Sequence, residues 1–323
     1  MFDLDTPEWL PLDYDPAADR VTWLRISEAG YRHASFLDER MIGPQSAVQQ
    51  SPWPALPAEA RRDAQYIFHI GNVGSTLISR LLDELPEVFA VREPQLLRGL
   101  GPNADFATVA TLLSRTWRPE QRANVKATSF TSELAPALVQ PGSRALFLYA
   151  TPDTYLASIL AGQNSWQTLA ALSEIRLARL QGRCPGLAAD LGAMHDGLKA
   201  ALGWACEMTS LEAAAAALPA GAVLWLDFDA FLADPVRHFL AIADHFGITM
   251  AAPQARAICE GPLMRRYSKA PEYEYSPDDR RHTLADARAR HGRAIGEALG
   301  WLGGLAEGYP AMMQAIRRSR GEP

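Results

Sequence analysis

The sequence of 323 residues is poor in cysteine and has no excess of basic residues. Its three cysteines, Cys184, Cys206 and Cys259, lie far apart and form no C-x-x-C pair. This spacing excludes a disulfide framework and a cysteine zinc site, and we expect reduced thiols in a cytoplasmic protein. The formal net charge is −6. An acidic balance argues against a nucleic-acid partner, although a local basic pocket remains compatible with it.

Long apolar runs are also missing. The most apolar stretch, LEAAAAALPAGAVLWLDF, contains Glu212 and Pro219 and divides into a helix and a strand, so we expect no membrane span. The acidic start, MFDLDTPEWLPLDYD, does not have the pattern of a secretory signal. No grouping of His, Asp and Glu has the spacing of metal ligands, so no metal cofactor is expected.

Short apolar runs alternate with amphipathic helical segments along most of the chain. Such alternation predicts an α/β fold with a central, mostly parallel sheet that helices cover on both faces. Residues 1–62 are rich in proline, and we expect an irregular N-terminal extension packed on the core, with a short strand at RVTWLRI. Residues 63–323 form the main domain in this interpretation. The predicted strands of that domain are QYIFHI, VFAVRE, ANVKAT, RALFLYA and GAVLWLDFD.

A glycine-rich turn follows the first of these strands and opens a helix. The backbone N–H groups at a helix N-terminus suit an oxyanion, and Gly71 and Gly74 let a ligand approach the backbone closely. Ser75 and Thr76 add hydroxyl donors. Glycines that serve only the geometry of the turn are the structural alternative. A nucleoside-triphosphate loop needs Gly-Lys-Ser/Thr, and here Gly74 is followed directly by Ser75, which disfavours a kinase or an ATPase.

Three stretches together resemble the sulfotransferase family, over about residues 65–270. The first runs from Asn72 to Ile78 and continues into LPEVFAVREP. The second is LFLYATPDTYLAS, in which Pro152 and Ser158 match the family's pattern, and the third is VLWLDFDAFLADPVRHFLAIADHFGI. The resemblance implies a divergent, bacterial-type member with a three-layer P-loop-like fold. It also implies 3′-phosphoadenosine 5′-phosphosulfate (PAPS) as the co-substrate, used without a metal.

Two positions depart from the family pattern. Asn72 stands where the family has a Lys or Arg near the transferred group, and Ala150 stands where it has an arginine for the 3′-phosphate. Hydrogen bonds to charged groups contribute about 1.5–3 kcal/mol each, so both departures should weaken the binding of a polyanion. Three explanations are open: other residues supply the missing positive charge, the protein uses a different donor, or it has lost catalysis.

Lys126 ends the ANVKAT strand, and the carboxyl ends of parallel strands converge on the ligand crevice. We therefore predict that Lys126 approaches the transferred group in place of the missing loop cation; a solvated surface lysine is the alternative. His69, on the strand before the loop, is predicted to be a core histidine that bonds to the backbone rather than a catalyst.

Glu93 follows the VFAVR strand, where the resemblance places a catalytic acid or base. Sulfonyl transfer needs a base that accepts the proton of the acceptor hydroxyl. The structural alternative is a glutamate that pairs with Arg92 or Arg98 to hold the turn. The basic RRYSK segment matches the family's late loop, and its arginines suit phosphate oxygens. The predicted catalytic residues are Glu93, Lys126 and Asn72, and the predicted donor-binding residues are Gly71, Asn72, Val73, Gly74, Ser75, Thr76, Leu77, Ser158, Arg265, Arg266 and Lys269.

The leading functional hypothesis is a PAPS-dependent sulfotransferase that transfers a sulfonyl group to a hydroxyl or an amine. Its acceptor would be a small molecule, a peptide or a glycan, bound between residues 1–62, residues 96–120 and the GQNSWQTLAAL segment. A P-loop small-molecule kinase and a non-catalytic nucleotide-binding protein are the alternatives. The sequence indicates neither the acceptor nor the oligomeric state.

Overall fold

A computed structural model describes residues 4–57, 59–101, 103–270 and 272–322, without the side chains of 163–168. The described strands are β1 (Trp9–Asp15), β2 (Arg20–Arg25), β3 (Val48–Pro52), β4 (Gln65–His69), β5 (Val88–Arg92), β6 (Arg122–Lys126), β7 (Ala145–Tyr149) and β8 (Val223–Asp227). The described helices are α1 (Glu28–His33), α2 (Ser75–Leu82), α3 (Leu96–Gly99), α4 (Phe106–Leu113), α5 (Ala135–Leu138), α6 (Pro152–Ala161), α7 (Gln163–Arg183), α8 (Asp196–Ala217), α9 (Phe228–Ala233), α10 (Pro235–His245), α11 (Ala252–Cys259), α12 (Pro277–Gly308) and α13 (Pro310–Ser319). Short 3-10 helices span Glu39–Met41, Ser129–Leu134 and Pro262–Arg265.

The main sheet has five parallel strands in the order β5-β6-β4-β7-β8. All residues of β4, β5 and β7 are buried, as expected for strands covered on both faces. Helix α2 packs against β4, β5 and β6, and α8 also contacts β4. The α/β fold with a parallel central sheet that the alternation of elements predicted is therefore confirmed, and each of its five strands was predicted.

The N-terminal segment contains an antiparallel sheet of β1, β2 and β3. The strand predicted at RVTWLRI is present as β2, whereas the irregular structure expected around it is wrong for β1 and β3. Leu10 and Leu24 of this sheet and Tyr31 of α1 belong to the same apolar cluster as the main sheet. The indole Nε1 of Trp23 donates to Ser51 Oγ at 2.9 Å, which ties β2 to β3.

A layer of long helices covers one part of the main domain. Helices α6, α8 and α12 contact one another, and α7 packs along α8. Helix α12 begins with a capping box, in which Ser276 accepts from the backbone of Asp279 and the Asp279 carboxylate accepts in return. This fixed start places the first turns of α12 beside the carboxyl edge of the sheet. Among the described helices, none is both long and apolar enough to cross a bilayer.

Candidate functional site

A cavity of about 590 Å³ lies at the carboxyl edge of the parallel sheet. Residues that follow β4, β5 and β8, the last residue of β6, and side chains of α6, α7 and α12 line it. This is the edge at which open α/β sheets bind ligands, because the strands deliver their connecting loops there. The predicted loop, Glu93, Lys126 and Ser158 are all brought to this one cavity.

The loop between β4 and α2 has a left-handed backbone at three positions, with φ of +88° at Gly71, +52° at Asn72 and +65° at Gly74. A Cβ atom on Gly74 would lie 2.0 Å from the ring of Phe228. Glycine is thus required at position 74 by its dihedral angle and by the packing of the aromatic ring. The backbone N–H groups of Asn72 to Leu77 have no hydrogen-bond acceptor among the described residues. These N–H groups are available to an anion.

His69 holds the start of the loop in place. Its Nε2 donates to the carbonyl of Ala127 at 2.9 Å, and its Nδ1 accepts from the backbone N–H of Gly71 at 3.1 Å. Burial, followed by the positive charges of Lys126 and Lys269, holds the pKa of His69 well below its usual range. The imidazole is therefore neutral, with one tautomer fixed by its two partners. The prediction of a backbone-bonded core histidine is confirmed.

The first turn of α2 also presents hydroxyl groups. Ser75 and Thr76 are buried and line the cavity. Thr76 Oγ1 is shielded from solvent and has no hydrogen-bond partner in the part of the chain that the structure describes. A buried hydroxyl without a partner costs free energy, so this one marks a position at which a ligand oxygen would fit.

Lys126 and Glu93 form a buried ion pair at the ends of adjacent strands. The Lys126 ammonium, with no solvent exposure, donates to the Glu93 carboxylate, and Arg98 lies 3.7 Å from the other carboxylate oxygen. Burial lowers the pKa of Lys126 to about 8, against the opposing effect of the Glu93 charge. A solvated surface lysine is therefore wrong as an interpretation of Lys126. Arg92 does not pair with Glu93, since its guanidinium binds Asp83 at 2.6 Å.

The described lining of the cavity is strongly cationic. Glu93 is the only acidic residue among the described residues that line it. The basic residues of the lining are Lys126, Arg176, Arg266, Lys269 and Arg280. Arg265, which was predicted beside them, is exposed and is not among the lining residues. Asn72 is exposed at the tip of the loop and lines the cavity without supplying a charge.

Two of these cations, Arg176 and Arg280, were not predicted from the sequence. Arg280 lies on the first turns of α12, and its Nη1 donates to Asp229 at 2.6 Å. Its guanidinium carbon lies 5.2 Å from the ring centre of Phe228, and its buried Nη2 has no hydrogen-bond partner among the residues described. Phe228 therefore connects Gly74 of the loop to Arg280. The DDRR sequence around Arg280 is typical of a solvated helix face, so only the tertiary fold reveals this position.

The place of the family's 3′-phosphate arginine is closed. Ala150 is buried, and its carbonyl accepts from the indole Nε1 of Trp204 at 3.0 Å. Ser158, one helical segment later, does line the cavity. Cations of α12 and of the late loop line the same cavity.

The three segments predicted to bind the acceptor contribute unequally. Phe36 from the N-terminal segment lines the cavity, and so do Gly162 and Leu169 at the ends of the GQNSWQT stretch. The side chains of 163–168 lie outside the described residues. No described residue of 96–120 is among the lining residues.

Comparisons with known proteins found distant similarity to solved structures. No protein-family model matches the chain, and no curated protein matches it. A solved sulfotransferase domain from the curacin biosynthetic pathway is 15% identical, covering 71% of this chain and 90% of its own, with a TM-score of 0.42. A sulfotransferase from Alicyclobacillus acidocaldarius is 16% identical, covering 73% and 96%, with a TM-score of 0.38. A mouse sulfotransferase complexed with PAP is 14% identical, covering 74% and 89%, with a TM-score of 0.38.

Proposed function

We propose that the protein is a PAPS-dependent sulfotransferase, which transfers a sulfonyl group to a hydroxyl or an amine of its acceptor. One observation carries this proposal: among the described residues, five basic side chains and a single carboxylate line one cavity in a chain whose net charge is −6. Such a concentration of positive charge, against the balance of the whole chain, suits a ligand with several phosphate or sulfate groups.

The residues around the loop fit an adenosine 3′,5′-bisphosphate group. The free N–H groups from Asn72 to Leu77 and the unpartnered hydroxyl of Thr76 would bind one phosphate. The unpartnered Nη2 of Arg280, with Lys269 on the late loop, would bind further phosphate oxygens. Phe228 offers an apolar ring at the same end of the cavity.

The Lys126–Glu93 pair supplies the groups that the transfer needs. PAPS carries an activated sulfonyl group, whose bond to the leaving phosphate oxygen breaks as the acceptor oxygen or nitrogen bonds to sulfur. The Lys126 ammonium neutralises negative charge at the transferred group. In moving to that group, the ammonium leaves the Glu93 carboxylate without its ion-pair partner. The freed Glu93 carboxylate then accepts the proton of the acceptor. The chain thus replaces the missing cation at Asn72 with one delivered by the neighbouring strand.

Calorimetric titration separates this function from its two alternatives. We expect adenosine 3′,5′-bisphosphate to bind without Mg²⁺ and more tightly than ATP with Mg²⁺. Arg280→Gln should weaken this binding, by about 10-fold or more for a lost charged hydrogen bond. Arg288→Gln is the matched control, since Arg288 lies on the same helix, pairs with Asp153 and does not line the cavity.

Two results would contradict the proposal. Preferred binding of ATP with Mg²⁺ would identify a small-molecule kinase. Binding of neither nucleotide, by a chain with native secondary structure in circular dichroism, would identify a protein that does not use the donor.

A further inference from the structure

Arg176 is a buried cation with two N–H atoms that find no acceptor among the described residues. Its residue is 6% exposed on α7, and its Nε and Nη1 atoms are shielded from solvent with no hydrogen bond in the described part of the chain. It nevertheless lines the cavity. Gly203 of α8 makes the room for it, because a Cβ atom there would lie 3.3 Å from both Arg176 Nη1 and Tyr155 Oη. A buried guanidinium whose N–H groups lack acceptors is costly, and oxygen atoms of a ligand would satisfy those groups.

The charges around Arg176 do not balance. Arg179 binds Glu133 at 3.1 Å and the fully buried Glu207 at 3.0 Å, and Arg183 also binds Glu133. The three guanidinium groups of this α7 cluster therefore face two carboxylates, which leaves one positive charge. Glu207 Oε1 accepts from Arg179, whereas Glu207 Oε2 and the Nε and Nη1 atoms of Arg176 have no hydrogen-bond partner among the described residues.

Arg176 and the phosphate-binding loop reach the cavity from different elements. The loop follows β4 and opens α2, whereas Arg176 lies on α7 beside Tyr155 of α6, with Arg176 Nη1 and Tyr155 Oη each 3.3 Å from the Cβ position of Gly203. Arg176 is thereby held between α7 and α8. Ile159 of α6, Gly162 and Leu169 of α7 add apolar surface to the lining of the cavity.

We propose that Arg176 is a specificity determinant that binds a carboxylate of the acceptor, so that the acceptor of this enzyme is a hydroxylated or aminated acid. This proposal rests on the proposed function for the assignment of the opposite end to the donor. An acid that enters the apolar end would place its carboxylate against the guanidinium in a bidentate pair. The same contact would reject the neutral amide of that acid, because Arg176 would then stay unpaired.

A crystal soaked in sodium bromide, with adenosine 3′,5′-bisphosphate present, tests the anion site directly. We expect an anomalous bromide peak in contact with the Arg176 guanidinium and the nucleotide at the loop. The peak should be absent from Arg176→Met crystals. Absence of bromide at Arg176 in the wild-type protein, or a nucleotide phosphate bound there, would overturn the proposal.

Melting temperatures in the presence of saturating adenosine 3′,5′-bisphosphate give a second measurement in solution. We expect benzoate to raise Tm more than benzamide in the wild-type protein, and to lose this advantage in Arg176→Met. Equal shifts by the two compounds in the wild type would overturn the proposal. The ligand-free Arg176→Met protein should melt no lower than the wild type, whereas Arg179→Met should melt lower, since it leaves Glu207 buried without its partner. A lower Tm for Arg176→Met would instead identify Arg176 as a structural residue.

The two proposals fail in different ways. If the bisphosphate binds at the loop and neither bromide nor benzoate depends on Arg176, only the acceptor proposal falls. If the binding of bromide and of benzoate depends on Arg176 and the bisphosphate does not bind, the carboxylate site stands and the sulfotransferase function falls.

Discussion

Glu93 and Lys126 are joined twice across two parallel strands. The backbone N–H of Glu93 donates to the Lys126 carbonyl at 2.6 Å, and the Lys126 ammonium donates to the Glu93 carboxylate. Glu93 also has a left-handed backbone, with φ of +49°. Strain and a buried ion pair at one position contribute little to stability and are typical of functional sites.

Lys126→Met should remove the preference of the protein for a sulfonated nucleotide. Because the proposed function places the ammonium at the transferred group, we expect the affinity for PAPS to fall about 10- to 100-fold, the value of a lost charged hydrogen bond. The affinity for adenosine 3′,5′-bisphosphate should change less. Calorimetry with the two nucleotides measures both values, and Lys199→Met, a change on the distant helix α8, is the control. Equal losses of affinity for both nucleotides would show that Lys126 does not contact the transferred group.

The affinity for PAPS should depend on pH through Lys126. Since the pKa of this lysine is lowered to about 8, the ammonium is present below pH 8 and is lost above it. We expect PAPS binding to weaken from pH 7.5 to pH 9.5 in the wild-type protein and to stay flat in Lys126→Met. An equal pH dependence in both proteins would assign it to another group.

The same shift in pKa has an opposite effect on folding. The ordinary value for lysine is 10.5, so the unfolded chain holds a proton at this residue between about pH 8 and pH 10.5 that the folded chain has released. The contribution of Lys126 to the free energy of unfolding therefore rises with pH in this window. Urea titrations at pH 8 and pH 10 should show this rise in the wild type relative to Lys126→Met. A decrease would mean that the pKa is raised.

Glu93→Gln should slow the transfer without weakening donor binding. Glutamine keeps the shape of the side chain, but it cannot accept a proton from the acceptor, so we expect kcat to fall by about 10²- to 10⁴-fold. Rapid-quench measurement of sulfonyl transfer from PAPS to an acceptor found by screening gives this rate. Calorimetry on the same variant should show PAPS affinity within a few-fold of the wild type. An unchanged kcat would leave Glu93 with the structural role of holding Lys126.

Gly74→Ala should abolish nucleotide binding. A side chain at this position meets the Phe228 ring at 2.0 Å and requires a strained φ of +65°, so the loop must move. Gly300→Ala is the control, since Gly300 lies within α12 with open space around its Cβ position. The control should bind normally and gain slightly in Tm. Normal nucleotide binding by Gly74→Ala would show that the loop backbone does not hold the phosphate.

The sequence predicted the parts of the fold that local patterns determine. The five strands of the main sheet are short apolar runs, and the loop after β4 carries its own glycine pattern. Lys126 was predicted because a residue at the carboxyl end of a parallel strand is placed by topology alone. Strands β1 and β3 were missed, since prolines obscure the alternation of β1 and β3 is mostly exposed.

The residues that long-range packing brings to the site were not predictable. Arg176 and Arg280 lie on helices far along the chain from the loop, with no motif around them. The importance of Phe228 depends on its contact with Gly74, and the closure at Ala150 depends on Trp204. Arg265 and Arg266 are neighbours in a basic segment, and only the path of the backbone decides that Arg266 lines the cavity and Arg265 does not.

The neutral imidazole of His69 has a consequence for how a ligand is received. One ring joins the first N–H of the anion-binding turn to the carbonyl that directly follows Lys126. The spacing between the main-chain cradle and the ammonium is thereby set in the empty protein. Ligand binding then need not spend free energy on bringing the loop N–H groups and the Lys126 ammonium into position. Replacing His69 should displace both of these groups at once.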